Sequence, residues 1–331
     1  MIKTPSFWYS AKTSFYSLLL LPFSLLYFVG QKLHYLFRKL RGHYKSDARI
    51  VCIGNVTAGG AGKTPVVLAI YDLLAAAQRR PAILSRGYGG NLHQPHKVNI
   101  AQHSVRDVGD EALMIARKGK DIWVSKKRIK AVPQIEKHAD IILMDDGFQN
   151  PAITKDRSLM VFNGQSGIGN GHLIPAGPLR QSVKSALGQC DGVIIVGADE
   201  TGLEKKIRKL KNDMPFFYAN IEPDREIILG LKGEKVTAFA GIGLPDKFFD
   251  MLKDEGVELS NRIAFPDHHS YGADDIEKII KVANGNKIVT TEKDFVRLPE
   301  EFKAGVLAAP IGIQFSAPDN VRDFILYGGG A

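Results

Sequence analysis

The residues best equipped for chemistry begin where an apolar run, Ile50-Val-Cys-Ile, leads into Gly54-Asn-Val-Thr-Ala-Gly-Gly-Ala-Gly-Lys-Thr. A strand, a glycine loop and a helix in that order turn a row of backbone N–H groups, backed by a helix N-terminus, toward phosphate oxygens. Thr57, Ala58, Gly59, Gly60, Ala61 and Gly62 form the cradle, Lys63 reaches the β- and γ-phosphates, and Thr64 offers its hydroxyl to Mg²⁺. Thr57 stands where the general G-x-x-x-x-G-K-[ST] pattern has its first glycine, and Gly59 and Gly60 lie inside the loop instead. Flanking strand and helix separate this pattern from a bare Gly-rich turn, and ATP with Mg²⁺ is the expected ligand pair.

A second site follows in Ala139-Asp-Ile-Ile-Leu-Met-Asp-Asp-Gly-Phe-Gln. An apolar strand ending in Asp145 and Asp146 sets two carboxylates at a strand's C-terminal edge, the Walker B position, where one of them coordinates the metal directly or through water. Arg86, Arg128 and Arg180 are candidates for phosphate or substrate contacts, because a guanidinium matches phosphate oxygens at two points. Arg128, within Lys126-Lys-Arg-Ile-Lys130, reads equally as part of a solvated basic face. Thr291-Glu-Lys-Asp294 invites comparison with the guanine-specifying N/T-K-x-D loop, but Lys293 and Asp294 are adjacent, so the spacing does not support GTP.

The elements that must position these groups follow an alternating α/β pattern past residue 48, which implies a parallel sheet covered by helices. Strands are expected at Ile50–Ile53, Ala82–Leu84, Ile141–Met144, Ser158–Phe162, Val193–Val196, Val236–Ala240, Ile288–Thr290 and Ile311–Phe315. Helices are expected at Thr64–Ala77, Asp110–Arg117, Lys247–Lys253 and Ala273–Val282. The stretch 149–180, rich in Gly, Pro and Asn, is the expected change of domain.

Composition narrows the class. The 331 residues are 44% hydrophobic and 24% charged, an ordinary globular balance that excludes a disordered or collagenous chain. Two cysteines, Cys52 and Cys190, make neither a disulfide framework nor a metal-ligand spacing. Of the 44 Lys and Arg, seven lie in residues 1–45, where there is no Asp or Glu, so the remaining 37 face 35 acidic residues. The net charge of +9 is therefore an N-terminal property, and no nucleic-acid partner is implied.

That N-terminal segment reads as a membrane element. Thr13 to Gln31 carries no charge and is strongly apolar, just long enough to span, though Pro22 and several Ser and Tyr dilute it. Lys32 to Lys45 then interleaves basic and apolar residues, as in a helix lying among anionic headgroups. No small-residue cleavage site follows, and the basic residues favour a cytoplasmic C-terminal side. The competing possibility is a helix buried against the body.

Taken together, several segments resemble the tetraacyldisaccharide 4′-kinase (lipid A 4′-kinase) family over nearly the whole chain. They are Gly54–Pro65, Ser85-Arg-Gly-Tyr-Gly-Gly90, Val108-Gly-Asp-Glu111, Asp145-Asp-Gly-Phe-Gln149, Pro175-Ala-Gly-Pro-Leu-Arg180, Phe265-Pro-Asp-His268 and Thr290-Thr-Glu-Lys-Asp294. The resemblance implies transfer of the ATP γ-phosphoryl group to the 4′-hydroxyl of a tetraacylated glucosamine disaccharide 1-phosphate. That lipid substrate lies in the bacterial inner membrane, and attachment to its cytoplasmic face through the N-terminus is the expected location. An anionic phospholipid surface is then a further expected partner; no obligate protein partner is evident. It also implies a P-loop NTPase-type lobe and a second αβα lobe, with divisions expected at 1–45, 46–155 and 156–331; the last strand or tail has the option of returning to the first lobe. Asp110 is the implied base, working with His268 as a dyad; taken alone, Asp110 reads as the N-cap of the helix starting at Glu111. Spacing does not choose between His268 and His269, whereas the resemblance points to His268. A membrane-recruited nucleotide switch would explain the loop and the basic segment, but it gives Asp110, His268 and a second lobe no task.

Overall fold

The computed structural model describes residues 5–9, 14–40, 43–59 and 62–328. Its strands are β1 (Arg49–Gly54), β2 (Pro81–Ser85), β3 (His96–Lys97), β4 (Ile122–Val124), β5 (Ile141–Asp145), β6 (Arg157–Asn163), β7 (Gly192–Val196), β8 (Phe216–Pro223), β9 (Lys235–Ala240), β10 (Glu258–Ala264), β11 (Lys287–Thr291), β12 (Val306–Ala309) and β13 (Ile311–Phe315). Its α-helices are α1 (Phe15–Leu40), α2 (Lys63–Ala76), α3 (Val105–Val108), α4 (Asp110–Arg117), α5 (Val132–Ile135), α6 (Val183–Leu187), α7 (Leu203–Arg208), α8 (Arg225–Leu231), α9 (Pro245–Asp254), α10 (Ala273–Ala283), α11 (Glu292–Phe295), α12 (Glu300–Lys303) and α13 (Pro318–Tyr327). Every strand and helix expected from the sequence forms. The polar β10, whose side chains are mostly exposed or half-buried at the rim of its sheet, carries too weak an apolar alternation to be read in advance.

Two sheets organise the chain. The larger has the order β13-β8-β7-β6-β1-β5-β2-β4-β3, parallel apart from its two edge strands, β13 and β3. Its central strands are buried on both faces, which is why they read as near-continuous apolar runs. Along β1, Val51 and Ile53 enter the core on one face while Ile50 and Cys52 enter the core on the other. The smaller sheet, β10-β9-β11-β12, is parallel throughout and has its own cores on both faces.

The division expected at 155/156 falls inside the large sheet, because β5 and β6 pair with opposite sides of β1. The second lobe is instead an insertion between β8 and β13. The chain leaves and re-enters at one place, where Ile311 pairs with Pro223 and the Asp224 N–H donates to Pro310 O at 2.9 Å. The Gly- and Pro-rich stretch is no linker either. It folds back under the phosphate loop, with Thr57 bridged to Leu179, Ala58 N–H donating to Pro178 O at 2.7 Å, and Arg180 N–H donating to Val56 O at 2.7 Å.

The helix α1 is turned inside out relative to a core helix. Ser17 and Ser24, one heptad apart and so on one face, are buried, while Leu18, Leu19, Leu25, Leu26 and Phe37 are more than half exposed. Asn170 Nδ2 donates to Ser17 Oγ at 3.0 Å, Ser24 Oγ donates to Leu173 O at 2.8 Å, and Ala176 N–H donates to Ser24 Oγ at 3.1 Å. The serines that dilute the apolar run are thus its docking face, and Phe15–Phe37 is long and apolar enough to cross a membrane. Of the basic residues in 1–45, Lys3, Lys12 and Arg41, and the side chains of Arg38 and Lys39, lie outside the described residues. Replacing Ser24 with Ala leaves the Leu173 carbonyl and Ala176 N–H without that partner. It should cost about 1–3 kcal/mol in urea unfolding, whereas Leu25→Ser on the exposed face should cost less than about 0.5 kcal/mol. The reverse ranking would mean that α1 packs through its apolar face.

Candidate active site

The site forms outside the carboxyl ends of β1, β5 and β2, where strand order reverses about β1, the usual crevice of a parallel α/β sheet. Glycine is required at the end of β1: a Cβ on Gly54 would lie 2.7 Å from Phe148 Cβ in the turn after β5. Thr57 is accommodated where the general motif has glycine because it lies in an extended antiparallel bridge with Leu179 rather than a left-handed turn. Its Oγ1 accepts from Asn55 Nδ2 at 3.3 Å. Gly62, with φ +75°, turns the chain into α2, whose first two residues are Lys63 and Thr64. Lys63 Nζ donates to Asn55 Oδ1 at 3.2 Å and lies 3.6 Å from Asp146 Oδ1. Asn55, fully buried, was not singled out in the sequence, because it precedes the motif proper. Gly60 and Ala61 lie outside the described residues.

The paired carboxylates have opposite surroundings. Asp146, at φ +50° in the turn after β5, faces Lys63 and Arg180, whose Nη1 is 3.2 Å from Asp146 Oδ2. Burial pushes its carboxyl up, but Lys63, Arg180 and Arg128 outweigh it, so it is held below the usual carboxylate range. Asp145, by contrast, has its Oδ1 buried with no hydrogen-bond partner among the described residues. Burial, reinforced by the charges of Glu111 and Asp146 against Lys63 and Arg128, pushes it up to about 7. An orphaned, buried carboxylate oxygen beside a phosphate loop is what an arriving cation would satisfy, so Asp145 with Thr64 and Asp146 fits Mg²⁺ that keeps its remaining coordination for phosphates and water.

Arg128 has a different task from the solvated or substrate-facing one expected. It is buried, Nη2 donating to Asp145 O at 2.6 Å and Nη1 to Asp146 O at 3.1 Å, so its fork is spent on holding the carboxylate turn in shape. Arg180 reaches Asp146 from the folded-back loop, and Arg86 stands exposed after β2.

Across the crevice the smaller lobe brings His268 and Arg297 to meet Asp110 of the larger lobe. Asp110 is the first residue of α4, not its N-cap, which is Gly109. A side chain at Gly109 would strike Tyr88 O at 2.2 Å. Asp110 Oδ1 accepts the Glu111 N–H at 2.8 Å, and Oδ2 lies 2.8 Å from His268 Nδ1 and 2.9 Å from Arg297 Nε. Burial would raise this carboxyl, but His268, Lys293 and Arg297 together hold it down. An ionised carboxylate only accepts, so Nδ1 carries the shared proton, and the neutral tautomer with this contact has its lone pair on Nε2. Nε2 makes no hydrogen bond among the described residues; Asp267 Oδ1 is 3.9 Å away. His268 adopts φ +59°, an uncommon conformation for a residue with a side chain, and its N–H donates to Gly241 O at 3.1 Å. His269 is committed elsewhere, 2.9 Å from Asp275 Oδ2 and stacked on Phe265.

Thr291-Glu-Lys-Asp294 packs against the nucleotide lobe. It opens α11, which lies against α4: Lys293 Nζ is 3.1 Å from Glu111 Oε1 and Glu292 Oε1 is 2.5 Å from Lys118 Nζ. The buried charge at Asp145 generates a test in metal-free protein. Its carboxyl is raised from 3.8 to about 7, so the folded state holds a proton that the unfolded chain has released between those values. Stability therefore falls as pH rises through that window. Asp145→Asn should remove the decline, unfolding a few degrees higher than the parent at pH 8 and no higher at pH 4, in thermal scans with chelator. Identical pH dependence in both proteins would place the perturbed group elsewhere.

The sequence profile of the tetraacyldisaccharide-1-P 4′-kinase family (LpxK) matches residues 16–327. A tetraacyldisaccharide 4′-kinase from Methylobacterium nodulans is 41% identical over 320 residues, covering 96% of this chain and 93% of that protein. One from Paramagnetospirillum magneticum is 40% identical over 320 residues, covering 96% of each. Among solved structures, the "apo" form of LpxK from Aquifex aeolicus in complex with ATP superposes with a TM-score of 0.75 at 23% identity, covering 94% of this chain and 98% of that one. Fold, family profile and full-length relatives agree: the chain belongs to the tetraacyldisaccharide-1-P 4′-kinase family.

Proposed function

We infer that the crevice between the lobes carries out the family's reaction with a specific division of labour. The reaction is ATP-dependent phosphorylation of the 4′-hydroxyl of tetraacyldisaccharide 1-phosphate in lipid A biosynthesis. The loop from Thr57 to Gly62 and the N-terminus of α2 bind the phosphates, and Lys63 neutralises their charge. Mg²⁺, held by Thr64, Asp145 and Asp146, supplies charge neutralisation at the phosphate oxygens when bound. Arg86 and Arg180 are positioned at the same strand ends to meet nucleotide or substrate phosphate. In place of the Asp110 base that the resemblance implies, and because Asp110 Oδ2 already faces His268 and Arg297, His268 Nε2 takes the proton of the attacking 4′-hydroxyl and the anionic Asp110 stabilises the imidazolium that forms. The observation that carries this reading is the 2.8 Å contact between His268 Nδ1 and Asp110 Oδ2, made across the two lobes.

The lipid acceptor gives α1 its purpose. Its exposed Leu and Phe face, with Lys32 close behind, suits the cytoplasmic face of the bacterial inner membrane and an anionic phospholipid surface. Either an in-plane or a spanning helix would hold the crevice at the headgroups.

With γ-labelled ATP, Mg²⁺ and the disaccharide 1-phosphate in detergent micelles, label should appear at the 4′ position and vanish in Lys63→Ala. His268→Ala should lower kcat by about 10²–10⁴-fold with ATP affinity retained. Loss of ATP affinity to the same extent would make His268 a structural residue. Leu18→Asp with Leu25→Asp should abolish flotation with vesicles containing phosphatidylglycerol while leaving micellar turnover near wild type. Unchanged flotation would remove α1 as the membrane element.

A further inference from the structure

Asp110 presents one oxygen, Oδ2, to two partners at once: His268 Nδ1 at 2.8 Å and Arg297 Nε at 2.9 Å. Both come from the inserted lobe. Arg297 is 4% exposed, although a surface salt-bridge partner would remain wet, and burying a guanidinium is costly unless its charge is matched. It follows α11, the segment that opens with Thr291-Glu-Lys-Asp294, so the motif that failed as a guanine loop has a structural product here. Asp294, fully buried, accepts from Tyr271 Oη at 2.7 Å and the Gly241 N–H at 3.0 Å, and it lies 3.2 Å from Arg297 Nη1. The same Nη1 donates to the carbonyls of Gly241 and His269 at 3.1 and 3.3 Å. Gly241 O also accepts the His268 N–H, so one guanidinium hydrogen-bonds the loop that carries His268 and lies in ion-pair contact with the carboxylate that orients its ring, its Nε making no hydrogen bond among the described residues.

We propose that Arg297 is a positioning residue for phosphoryl transfer, fixing Asp110 against His268 and setting how readily His268 accepts the proton of the sugar hydroxyl. The proposal rests on the His268–Asp110 reading above and adds a residue to it. With Arg297 in place, the charge of Asp110 is shared between a permanent cation and the imidazole, and the imidazolium has a like charge beside it. A cation at 297 therefore disfavours a second positive charge on the imidazole. The other charges bearing on this pair are Lys293 from α11, which also faces Glu111 on α4, and Asp267, whose Oδ1 is 3.9 Å from His268 Nε2. The Tyr88 ring packs 5.6 Å from the imidazole. None of these is altered by substitution at 297.

The test is a pH profile of kcat/KM together with a double-mutant cycle, run on the full-length enzyme in micelles with Mg²⁺-ATP. Arg297→Met should lower kcat about 10–100-fold while KM for ATP stays within about twofold. Its acid limb should move upward by about 0.5–1 pH unit. Arg297→Lys keeps the charge and should hold the limb at the wild-type position. In an Asp110→Asn background, Arg297→Met should cost less than about threefold further, because the carboxylate through which it acts is gone. Should Arg297→Met fail to fold, Arg297→Gln, which also removes the charge, carries the cycle. Fully additive losses, or an acid limb that stays fixed in the Met variant, would overturn the proposal and leave Arg297 a structural cation. If His268→Ala retains the wild-type acid limb, the dyad reading itself fails, while the Asp110–Arg297 coupling still decides whether Arg297 acts through Asp110.

Discussion

A buried carboxylate must be matched by positive or hydrogen-bonding groups, and for Asp110 the side chains that match it come from the other lobe. His268, Arg297 and Lys293 all belong to the inserted lobe, while Asp110 opens α4 of the nucleotide lobe. The contact between Asp110 and His268 therefore exists only where the two lobes meet. Further ion pairs along the same line, Lys118 with Glu292 and Arg117 with Glu300, fasten α4 to α11 and α12. Individually such pairs contribute little, but their alignment fixes which faces meet. The chain crosses between lobes at one paired site, beside Pro223 and Pro310.

The carboxylate turn after β5 solves the opposite problem. Asp146 faces Lys63 and Arg180, whereas Asp145 Oδ1 has no hydrogen-bond partner among the described residues and its carboxyl is pushed up. Adjacent carboxylates are thus held in opposite environments by one turn. Arg128 makes this division possible from beneath. By holding the carbonyls of both aspartates, it lets the chain turn through a left-handed residue without losing the turn's shape.

Exposure at α1 follows from the same accounting of polar groups. The loop at Asn170–Ala176 has backbone and amide groups to satisfy, and Ser17 and Ser24 satisfy them. Once the polar side of the helix is committed inward, its leucines and phenylalanines face out.

Much of this was legible in the chain. Apolar runs of three to five residues marked the central strands, because strands buried on both faces leave no polar alternation. Glycine, lysine and paired aspartates marked the phosphate side, because that chemistry is local: a loop, the next helix turn and one strand end suffice. The division between lobes was misplaced because 149–180 looks like a linker by composition, while its glycines and prolines instead fit it tightly beneath a loop distant in sequence. Arg128 read as part of a basic run, and nothing in Lys126-Lys-Arg-Ile-Lys130 says which side chain turns inward. Arg297, 187 positions from Asp110, left no local sign at all. The sequence by itself determined the strands, the phosphate loop and the apolar helix, all set by neighbours along the chain. Only the tertiary structure decided which cations meet Asp110, which aspartate stays bare and which face of α1 turns outward, because burial and pairing depend on segments brought together across the fold.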